Sequence, residues 1–351
     1  MTHILVRAEC RDNEKRVGIT PLEAKKLLKM GIKVSIEESN SRIIPISEYR
    51  DVGCEIVEEN SWPNAPLETI IFGLKELPEY PFPLKHRHIM FGHAFKGQPT
   101  AQNLLNRFKV GGGALYDIEY LVSHTGKRVA AFGYWAGYAG AAVTISCWVS
   151  QKTNKRPKIF TTHQDKDSLD KQIKGELENS KLLPRNAIVI GSLGRVGSGV
   201  IDLCEKMNIE TTKWDIKETT TKENFSEILN HDLFFNCVVS NKETPTFISE
   251  ETIQNGQNLS IIGDIACDPG SMNNPVAVYN DVTTWSEPVT RVSENPILDV
   301  MAIDNLPSLL PLESSIDFAS QLLPSLMEID KINESVWLRA HQTYLNNMEL
   351  I

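Results

Sequence analysis

Residues 187–215 read AIVIGSLGRVGSGVIDLCEKMNIETTKWD, and this stretch decides the fold of the chain. It begins with Ala187–Gly191, an apolar run typical of a fully buried strand, which passes into a turn rich in glycine. A segment of helical periodicity, Val200–Met207, then leads to a second strand, Glu210–Trp214, and to Asp215. This order is that of a dinucleotide-binding βαβ unit, in which the glycines let the backbone approach a pyrophosphate at the helix N-terminus.

The acidic residue after the second strand indicates which dinucleotide to expect. Asp215 stands about twenty residues after the glycines, where an acidic side chain accepts hydrogen bonds from the adenosine ribose. Its negative charge opposes a 2′-phosphate, so we expect NAD rather than NADP. The glycines at 191, 194 and 197 follow the spacing G-x-x-G-x-x-G, whose first gap is longer than that of the usual fingerprint.

Composition limits the remaining possibilities. A chain of 351 residues is long for one hydrophobic core, so two domains are expected. The net charge of -9, without a block rich in Lys or Arg, speaks against a nucleic-acid partner. The six cysteines show no C-x-x-C spacing, and the N-terminus lacks the apolar region of a signal peptide. We therefore expect a protein of the reducing cytoplasm.

One uncharged segment needs to be tested as a membrane span. Residues 129–150, VAAFGYWAGYAGAAVTISCWVS, are long enough to cross a bilayer. The segment is diluted by glycine and alanine, contains no Leu, and has no second span beside it. We expect a buried helix that packs closely through its small residues, with a transmembrane helix as the alternative.

The first 125 residues alternate between strand and helix patterns, which predicts a second, mostly parallel sheet. Thr20 followed by Pro21 marks a helix start with a capping hydroxyl. The predicted helices are Leu22–Met30 and Gln102–Phe108, and the predicted strands are Ile4–Ala8, Lys33–Ile36, Thr69–Leu74, Ile89–Phe91 and Ala114–Tyr116.

Ionisable residues follow several of these strands, at the edge where α/β sheets bind ligands. They are Glu9, Lys75 with Glu76, His93, and Asp117 with Glu119. Lys75 after an apolar strand would be partly desolvated, which lowers the pKa of its amine and makes a neutral base available. His93 can exchange protons near neutral pH. The structural alternatives are an ion pair for Lys75 and a hydrogen-bonded core position for His93.

The histidines of the same region raise the possibility of a metal site. His86, His88 and His93 lie close in sequence, and the H-x-H spacing on a strand places two rings on one face. However, this stretch also contains Lys85, Arg87 and Lys96 and no carboxylate, which opposes a divalent cation. We therefore expect no metal and an anionic substrate.

At this point several motifs resemble those of one enzyme family, the NAD-dependent, lysine-forming saccharopine dehydrogenases, within the alanine dehydrogenase–transhydrogenase superfamily. The similarity covers nearly the whole chain, and several motifs are long and unusual. The motifs are VRAE (Val6–Glu9), RVGITP (Arg16–Pro21), EYR (Glu48–Arg50), GLKELPE (Gly73–Glu79), HAFKGQ (His93–Gln98), LYDIEYL (Leu115–Leu121), KRVAAFGYWAGYAG (Lys127–Gly140), GSLGRVGSG (Gly191–Gly199), KWDIKET (Lys213–Thr219) and IDNLPSLLP (Ile303–Pro311).

The resemblance implies roles for individual residues. Lys75 and His93 match the acid–base pair, and Glu76 and Glu119 match acids that tune the lysine. Substrate contacts are implied for Arg16, Gln98, Arg128 and Phe132, where arginines suit carboxylates because their forks bind them through two bonds. Cofactor contacts are implied for Lys127, Gly194, Arg195, Asp215, Thr219, Val239, Ile265, Ile303, Asp304, Asn305 and Leu306.

The chain also departs from the family at positions near the cofactor. Val196 stands where some relatives have a cysteine, so a disulfide from the glycine loop to Cys237 is not possible. Lys127 replaces an arginine, Val239 an aromatic residue and Asn305 a histidine. These differences concern cofactor affinity and redox control more than the reaction.

The resemblance further implies two Rossmann-like domains of the α/β class, with the active site in the cleft between them. Residues 1–131 and 308–351 would form the substrate domain, and residues 132–307 the NAD domain. The implied reaction is the reversible oxidative deamination of saccharopine to L-lysine and 2-oxoglutarate. Alanine dehydrogenase activity, or an NAD-binding sensor without catalysis, are the alternatives, and the oligomeric state stays open.

Overall fold

The computed structural model describes residues 1–11, 13–78, 82–96, 100–222, 224–253 and 257–349. These residues form two compact units, one of residues 1–131 and 311–351 and the other of residues 132–310. The sequence placed the last boundary between 307 and 308. It lies later because Leu306, Leu309 and Leu310 are buried in the hydrophobic core of the second unit.

The secondary structure of the described residues alternates between strands and helices. The strands are β1 (His3–Val6), β2 (Lys33–Glu37), β3 (Glu55–Val57), β4 (Ile70–Phe72), β5 (Arg87–Met90), β6 (Ala114–Asp117), β7 (Asn186–Ile190), β8 (Glu210–Trp214), β9 (Leu233–Asn236), β10 (Ile248–Ser249), β11 (Ile261–Asp264), β12 (Val276–Ala277), β13 (Thr290–Glu294) and β14 (Ile297–Met301). The α-helices are α1 (Pro21–Lys29), α2 (Ile46–Asp51), α3 (Ala101–Gly111), α4 (Gly133–Lys152), α5 (Lys166–Ser180), α6 (Arg195–Lys206), α7 (Ile216–Thr221), α8 (Pro311–Leu326) and α9 (Ser335–Met348).

The first unit is built on a parallel sheet of strand order β3-β2-β1-β4-β5-β6. The chain proceeds outward from β1 to β3 and then restarts beside β1 with β4, so the strand order reverses between β1 and β4. In open α/β sheets, ligands bind beyond the carboxyl ends of the strands at such a reversal. Lys75 follows β4 and His93 follows β5, which places both on this edge.

The second unit contains a sheet of order β13-β14-β11-β9-β7-β8. Its strands are parallel except for β13, which pairs antiparallel with β14. The strand order reverses between β7 and β9, and the glycine-rich turn follows β7. A short parallel pair, β10 with β12, lies outside this sheet. The predicted α/β fold with two mostly parallel sheets is confirmed.

The predicted start of the helix after the glycine turn is wrong, because α6 begins at Arg195 rather than Val200. Two of the glycines therefore lie inside the helix. A Cβ on Gly199 would overlap the carbonyl oxygen of Tyr134, and a Cβ on Gly137 would overlap that of Val196. These glycines permit α4 and α6 to cross closely, which sequence periodicity does not reveal.

Helix α4 is buried along most of its length within the second unit, as the sequence indicated for residues 129–150. It starts later, at Gly133, and ends at Lys152. A search of the described residues finds no helix with the length and apolarity that a membrane crossing requires.

The start of α1 also differs from the prediction. Thr20 occupies the N-cap, but its hydroxyl forms no capping bond and donates instead to the carboxylate of Glu23. Both residues are buried. The strands and helices predicted for the first 125 residues are present, with ends that differ by a few residues, but α2 and β3 were not predicted.

Candidate active site

Lys75 lies on a bend that leaves the sheet directly after β4. The N–H groups of Leu74 and Lys75 donate to the two carboxylate oxygens of Glu9, at 2.6 and 2.9 Å. The Lys75 side chain is half-buried, and its pKa is lowered first by burial and then by the positive charge of Arg16. Both effects favour the neutral amine, the form that can accept a proton.

His93 follows β5, the neighbour of β4, and is half-buried. It adopts a φ of 47°, in the left-handed region that side chains other than glycine rarely occupy, and its ring stacks on Phe91 with centroids 6.3 Å apart. Burial lowers the pKa of His93, and the charge of Lys75 lowers it further. The structure thus brings the two predicted acid–base residues to one edge of one sheet, with their charges coupled.

Arg16 is buried and paired with Glu14, a residue that the sequence analysis missed. Arg16 donates from Nε to Oε1 of Glu14 at 2.8 Å and from Nη2 to Oε2 at 2.6 Å. Burial raises the pKa of Glu14, but the charge and hydrogen bonds of Arg16 outweigh it, and the net shift is downward. A substrate carboxylate at Arg16 would therefore meet a fork that already holds a carboxylate, and this substrate role stays a prediction.

Glu119 connects two cations after β6. Its Oε1 accepts from Nζ of Lys96 at 2.8 Å and from Nη2 of Arg128 at 2.6 Å. Burial raises the pKa of this carboxyl, and the two cations lower it by more, so Glu119 stays ionised. Glu76, beside Lys75, pairs with Arg11 at 2.8 Å on the surface.

Asp117, at the end of β6, holds the segment that carries His93. Its Oδ2 accepts from the N–H of Gly92 at 3.1 Å, and its Oδ1 accepts from the N–H of Glu119 at 2.9 Å. Burial raises the pKa of this carboxyl to about 6. The sequence identified Asp117 as a residue at a strand end but assigned it no role.

The turn after β7 has the shape that a dinucleotide phosphate requires. Gly191 adopts a φ of 88°, and Gly194 is the N-cap of α6. A Cβ on Gly197 would overlap the carbonyl oxygen of Gly191 and lie 2.7 Å from Cα of Ser192. The first N–H groups of a helix have no partner within it, so the start of α6 offers donors to an anion. The residues present therefore fit a dinucleotide.

Asp215 caps α7 immediately after β8 and contacts the glycine turn. Its Oδ2 accepts from the N–H of Leu193 at 2.9 Å, and its Oδ1 accepts from the N–H of Ile216 at 2.9 Å. A carboxylate has about four acceptor positions, so each oxygen retains capacity for a ribose hydroxyl. The hydroxyl of Thr219, one turn later, donates to the backbone oxygen of Asp215.

The remaining residues predicted to bind cofactor or substrate differ in their exposure. Asn305 accepts a hydrogen bond from the Trp285 indole at 2.8 Å, and Phe132 is half-buried just before α4. Gln98 lies outside the described residues. Lys127, Arg195, Val239 and Asp304 are exposed, whereas Ile265, Ile303 and Leu306 are buried. Their roles in binding stay predictions.

The histidines considered for a metal take other positions. His86 bonds the backbone oxygen of Ala65 at 3.0 Å, and the ring of His88 lies edge-on between Trp62 and Phe108. Across the described ranges, no group of three or more His, Cys, Asp or Glu residues has an arrangement that could hold a metal ion.

Two family models match the chain: the alanine dehydrogenase/PNT N-terminal domain over residues 5–139, and the C-terminal domain of the same family over residues 200–348. In solved structures, an L-alanine dehydrogenase shares the fold with a TM-score of 0.67, over 98% of this chain and 94% of that one. The two sequences are only 14% identical, so this similarity shows a shared fold and not a shared activity.

Curated proteins give a closer match. The chain is 42% identical to the saccharopine dehydrogenase [NAD(+), L-lysine-forming] of Candida albicans, over 97% of this chain and 95% of that protein. It is 41% identical to the protein of the same name from Yarrowia lipolytica, over 95% and 94%. Because this identity extends over nearly the full length of both partners, the chain belongs to the family of NAD(+)-dependent, L-lysine-forming saccharopine dehydrogenases.

Proposed function

We propose that this chain catalyses the reversible oxidation of saccharopine by NAD+ and water to L-lysine, 2-oxoglutarate, NADH and a proton. The observation that carries the proposal is the pair Lys75 and His93, two half-buried bases of lowered pKa that follow the ends of adjacent parallel strands. The full-length relatives of the same name support this reaction over others of the superfamily.

Lys75 acts as the base toward the secondary amine of saccharopine. Burial and the charge of Arg16 lower the pKa of Lys75, so a larger fraction of its amine is neutral near physiological pH. The neutral amine takes the proton of the substrate nitrogen, which prepares the adjacent glutaryl carbon to lose hydride.

The cofactor site lies on the second unit. When bound, NAD+ supplies the hydride acceptor. The glycine turn and the start of α6 would hold its pyrophosphate, and Asp215 its adenosine ribose. The carboxylate of Asp215 opposes a 2′-phosphate, which selects NAD over NADP.

His93 manages the protons of the hydrolytic half of the reaction. The oxidised substrate is an imine, which water attacks at carbon. His93 takes a proton from this water and passes it to the nitrogen of the carbinolamine, which makes that nitrogen a leaving group. The imidazole, neutral again, then takes the proton of the carbinolamine hydroxyl as the C–N bond breaks, and lysine and 2-oxoglutarate are released. Its lowered pKa keeps the imidazole neutral and able to accept these protons near pH 7.

The substrate carries three carboxylates, and the arginines at this edge suit them. Arg16 and Arg128 are each bonded to a glutamate, Glu14 and Glu119 respectively. We propose that substrate carboxylates bind at these two arginines, since the planar fork of a guanidinium matches the geometry of a carboxylate. Gln98 and Phe132 remain predicted substrate contacts, and the position of the active site in a cleft between the domains stays a prediction.

The reducing cytoplasm remains our proposal for the location of the protein. All six cysteines are free, and Cys237 is buried with the pKa of its thiol raised well above the ordinary value. A protein that depends on disulfides would show pairs instead.

Oxidation of NADH at 340 nm by the purified protein tests the proposed function. Lysine with 2-oxoglutarate is compared with ammonium and pyruvate. Turnover with the first pair, and little with NADPH, is expected. Turnover with the second pair alone would assign alanine dehydrogenase activity instead, and NADH binding without turnover with either pair would favour a sensor.

A further inference from the structure

The bend that carries Lys75 is fixed mainly by two side chains that follow β1, those of Arg7 and Glu9. The N–H of Phe91 donates to the backbone oxygen of Leu74 at 3.1 Å, which is a bond of the sheet edge. The N–H groups of Leu74 and Lys75 both donate to the carboxylate of Glu9. One carboxylate thus satisfies two successive backbone donors of the bend.

Arg7 serves the acceptors of the same bend. Its Nη2 donates to the backbone oxygen of Lys75 and, at 3.3 Å, to that of Glu76. Its Nη1 donates to the backbone oxygen of Ala8 at 2.9 Å and lies 3.5 Å from Oε2 of Glu9. The Arg7 side chain is 1% exposed and that of Glu9 is 9% exposed, so water competes little for these bonds.

The sequence around Lys75 is shaped to admit this arginine. The Arg7 guanidinium lies directly against Gly73, where an added Cβ would overlap its Nε and lie 2.6 Å from its Cζ. The strands β1 and β4 are adjacent and parallel, so Arg7 and Gly73 each follow the last residue of neighbouring strands. Any side chain at position 73 would displace the arginine from the bend.

The hydrogen bonds of Arg7 and Glu9 do more than satisfy two buried charges. A buried arginine could be satisfied by any carboxylate, but here Nη2 of Arg7 and both carboxylate oxygens of Glu9 bond the backbone of residues 74–76. A buried ion pair adds little to stability compared with apolar residues of similar volume, whereas it can specify one conformation. The conformation specified here is that of the bend.

We propose that Arg7 and Glu9 are positioning residues, which hold the backbone of Lys75 so that its amine stays in the half-buried position where it acts. The inference rests on the proposed function of Lys75 as the base. Neither residue is proposed to touch the substrate.

Loss of the Arg7–Glu9 pair should change the pKa of Lys75, which a mere decrease in the stability of the fold would not do. If the bend relaxes, the Lys75 amine gains access to water, and the burial that lowers its pKa diminishes. The pKa of Lys75 then rises toward its ordinary value. Saccharopine oxidation, which needs the neutral amine, would reach its plateau at higher pH.

The test uses Glu9→Gln and the double variant Arg7→Met/Glu9→Gln. The amide in Glu9→Gln accepts from one N–H group and opposes the other, and the double variant removes both charges so that neither is left buried alone. Arg87→Met is the matched control, because Arg87 donates to the backbone oxygen of Glu68 at 2.7 Å at the opposite edge of β4 and β5. Thermal unfolding identifies variants that do not fold.

Two measurements are made on each folded variant. The first is kcat for saccharopine oxidation against pH. The second is the rate at which acetic anhydride acetylates Lys75 against pH, read by peptide mass spectrometry. We expect kcat at pH 7 to fall at least about tenfold in Glu9→Gln and in Arg7→Met/Glu9→Gln, as for a displaced acid–base group. Both pH profiles should move to higher pH, with Arg87→Met unchanged.

An unshifted labelling profile in the folded double variant would overturn the inference, whatever happens to kcat. Labelling also separates the inference from the proposed function. If the wild-type protein does not oxidise saccharopine but the variants still shift the labelling profile, the proposed function fails and the positioning of Lys75 stands.

Discussion

Glu14 holds Arg16 through two parallel hydrogen bonds of 2.8 and 2.6 Å, and both side chains are nearly excluded from solvent. In a third hydrogen bond of the pair, the backbone N–H of Arg16 donates to Oε1 of Glu14 at 3.0 Å. The two charges act on Lys75 in opposite senses, since Arg16 lowers the pKa of the lysine and Glu14 raises it. Burial lowers the pKa of Lys75 most, and the two charges of the pair adjust the pH at which the base becomes neutral.

Removal of the negative member should shift the activity of the enzyme to lower pH. In Glu14→Gln the ammonium form of Lys75 loses a stabilising charge, so the pKa of Lys75 falls further below its ordinary value. The rise of kcat for saccharopine oxidation with pH should move to lower pH, which a pH series of initial rates measures. Glu55→Gln, on the partly exposed pair with Lys33, is the control and should leave the profile in place. A shift to higher pH would contradict the electrostatic assignment.

Asp117 should influence both catalysis and stability. Its carboxylate accepts from the N–H of Gly92, next to His93, and Asp117→Asn would set an amide donor against one of its two backbone partners. We expect kcat to fall about tenfold or more through displacement of the His93 segment, with KM for NADH unchanged. Asp51→Asn, at an exposed position of α2, is the control: it makes the same change of charge and should leave kcat unchanged.

The stability of the same variant should depend on pH. The pKa of Asp117 in the folded chain is raised to about 6, so below about pH 4 the carboxyl is protonated in the folded and unfolded states and has no effect. As the pH rises from about 4 to about 6, the carboxyl is ionised in the unfolded state but still protonated in the folded one. This difference lowers the stability of the wild-type protein by up to about 3 kcal/mol, and the loss is complete above about pH 6. Asp117→Asn lacks this loss. Urea unfolding at pH 4.5 and 7.5 should show a smaller decrease in the variant than in the wild type, and equal decreases would disprove the buried acid.

The sequence predicted the fold well where local pattern and final structure agree. Strand β8, Glu210–Trp214, was predicted with its exact first and last residues, because a helix end precedes it and an acidic helix cap follows it. The start of α6 was missed because Gly197 and Gly199 read as turn residues. Gly197 must be small because it packs on Gly191 of the same turn, and Gly199 because it packs on Tyr134, which is distant in sequence and not visible in any local pattern.

The same distinction applies to the site. The position of Lys75 and His93 at one edge of the sheet could be predicted because they follow apolar strands, and parallel strands end at one edge of a sheet. The partners of these residues could not, because they depend on how the loops fold. Nothing in the spacing of Glu14 and Arg16 predicts their mutual pairing, and nothing at Asp117 predicts a bond to the N–H of Gly92.

Asp215 should determine the choice between NADH and NADPH. In Asp215→Asn the charge that opposes a 2′-phosphate is gone, and the new amide donor faces one of the N–H groups of Leu193 and Ile216. We expect KM for NADH to rise about tenfold and the preference over NADPH to narrow, as kcat/KM for each cofactor measures. Glu205→Gln, on the exposed pair with Lys213 near the same strand, should change neither value. An unchanged ratio of the two cofactors would remove Asp215 from the recognition of the ribose.

The glycine turn provides a prediction with a control in the same unit. A Cβ at Gly197 would overlap backbone atoms of Gly191 and Ser192, which cannot withdraw as a flexible side chain could, so Gly197→Ala must move the turn. Gly175, within α5, has no heavy atom within 4 Å of an added Cβ, and Gly175→Ala should stabilise the helix by about 0.5–1 kcal/mol. We expect Gly197→Ala to raise the Kd for NADH at least about tenfold, measured by quenching of protein fluorescence. Because both variants add one methyl group to a helix of the same unit, tight NADH binding by Gly197→Ala would mean that the turn does not approach the cofactor.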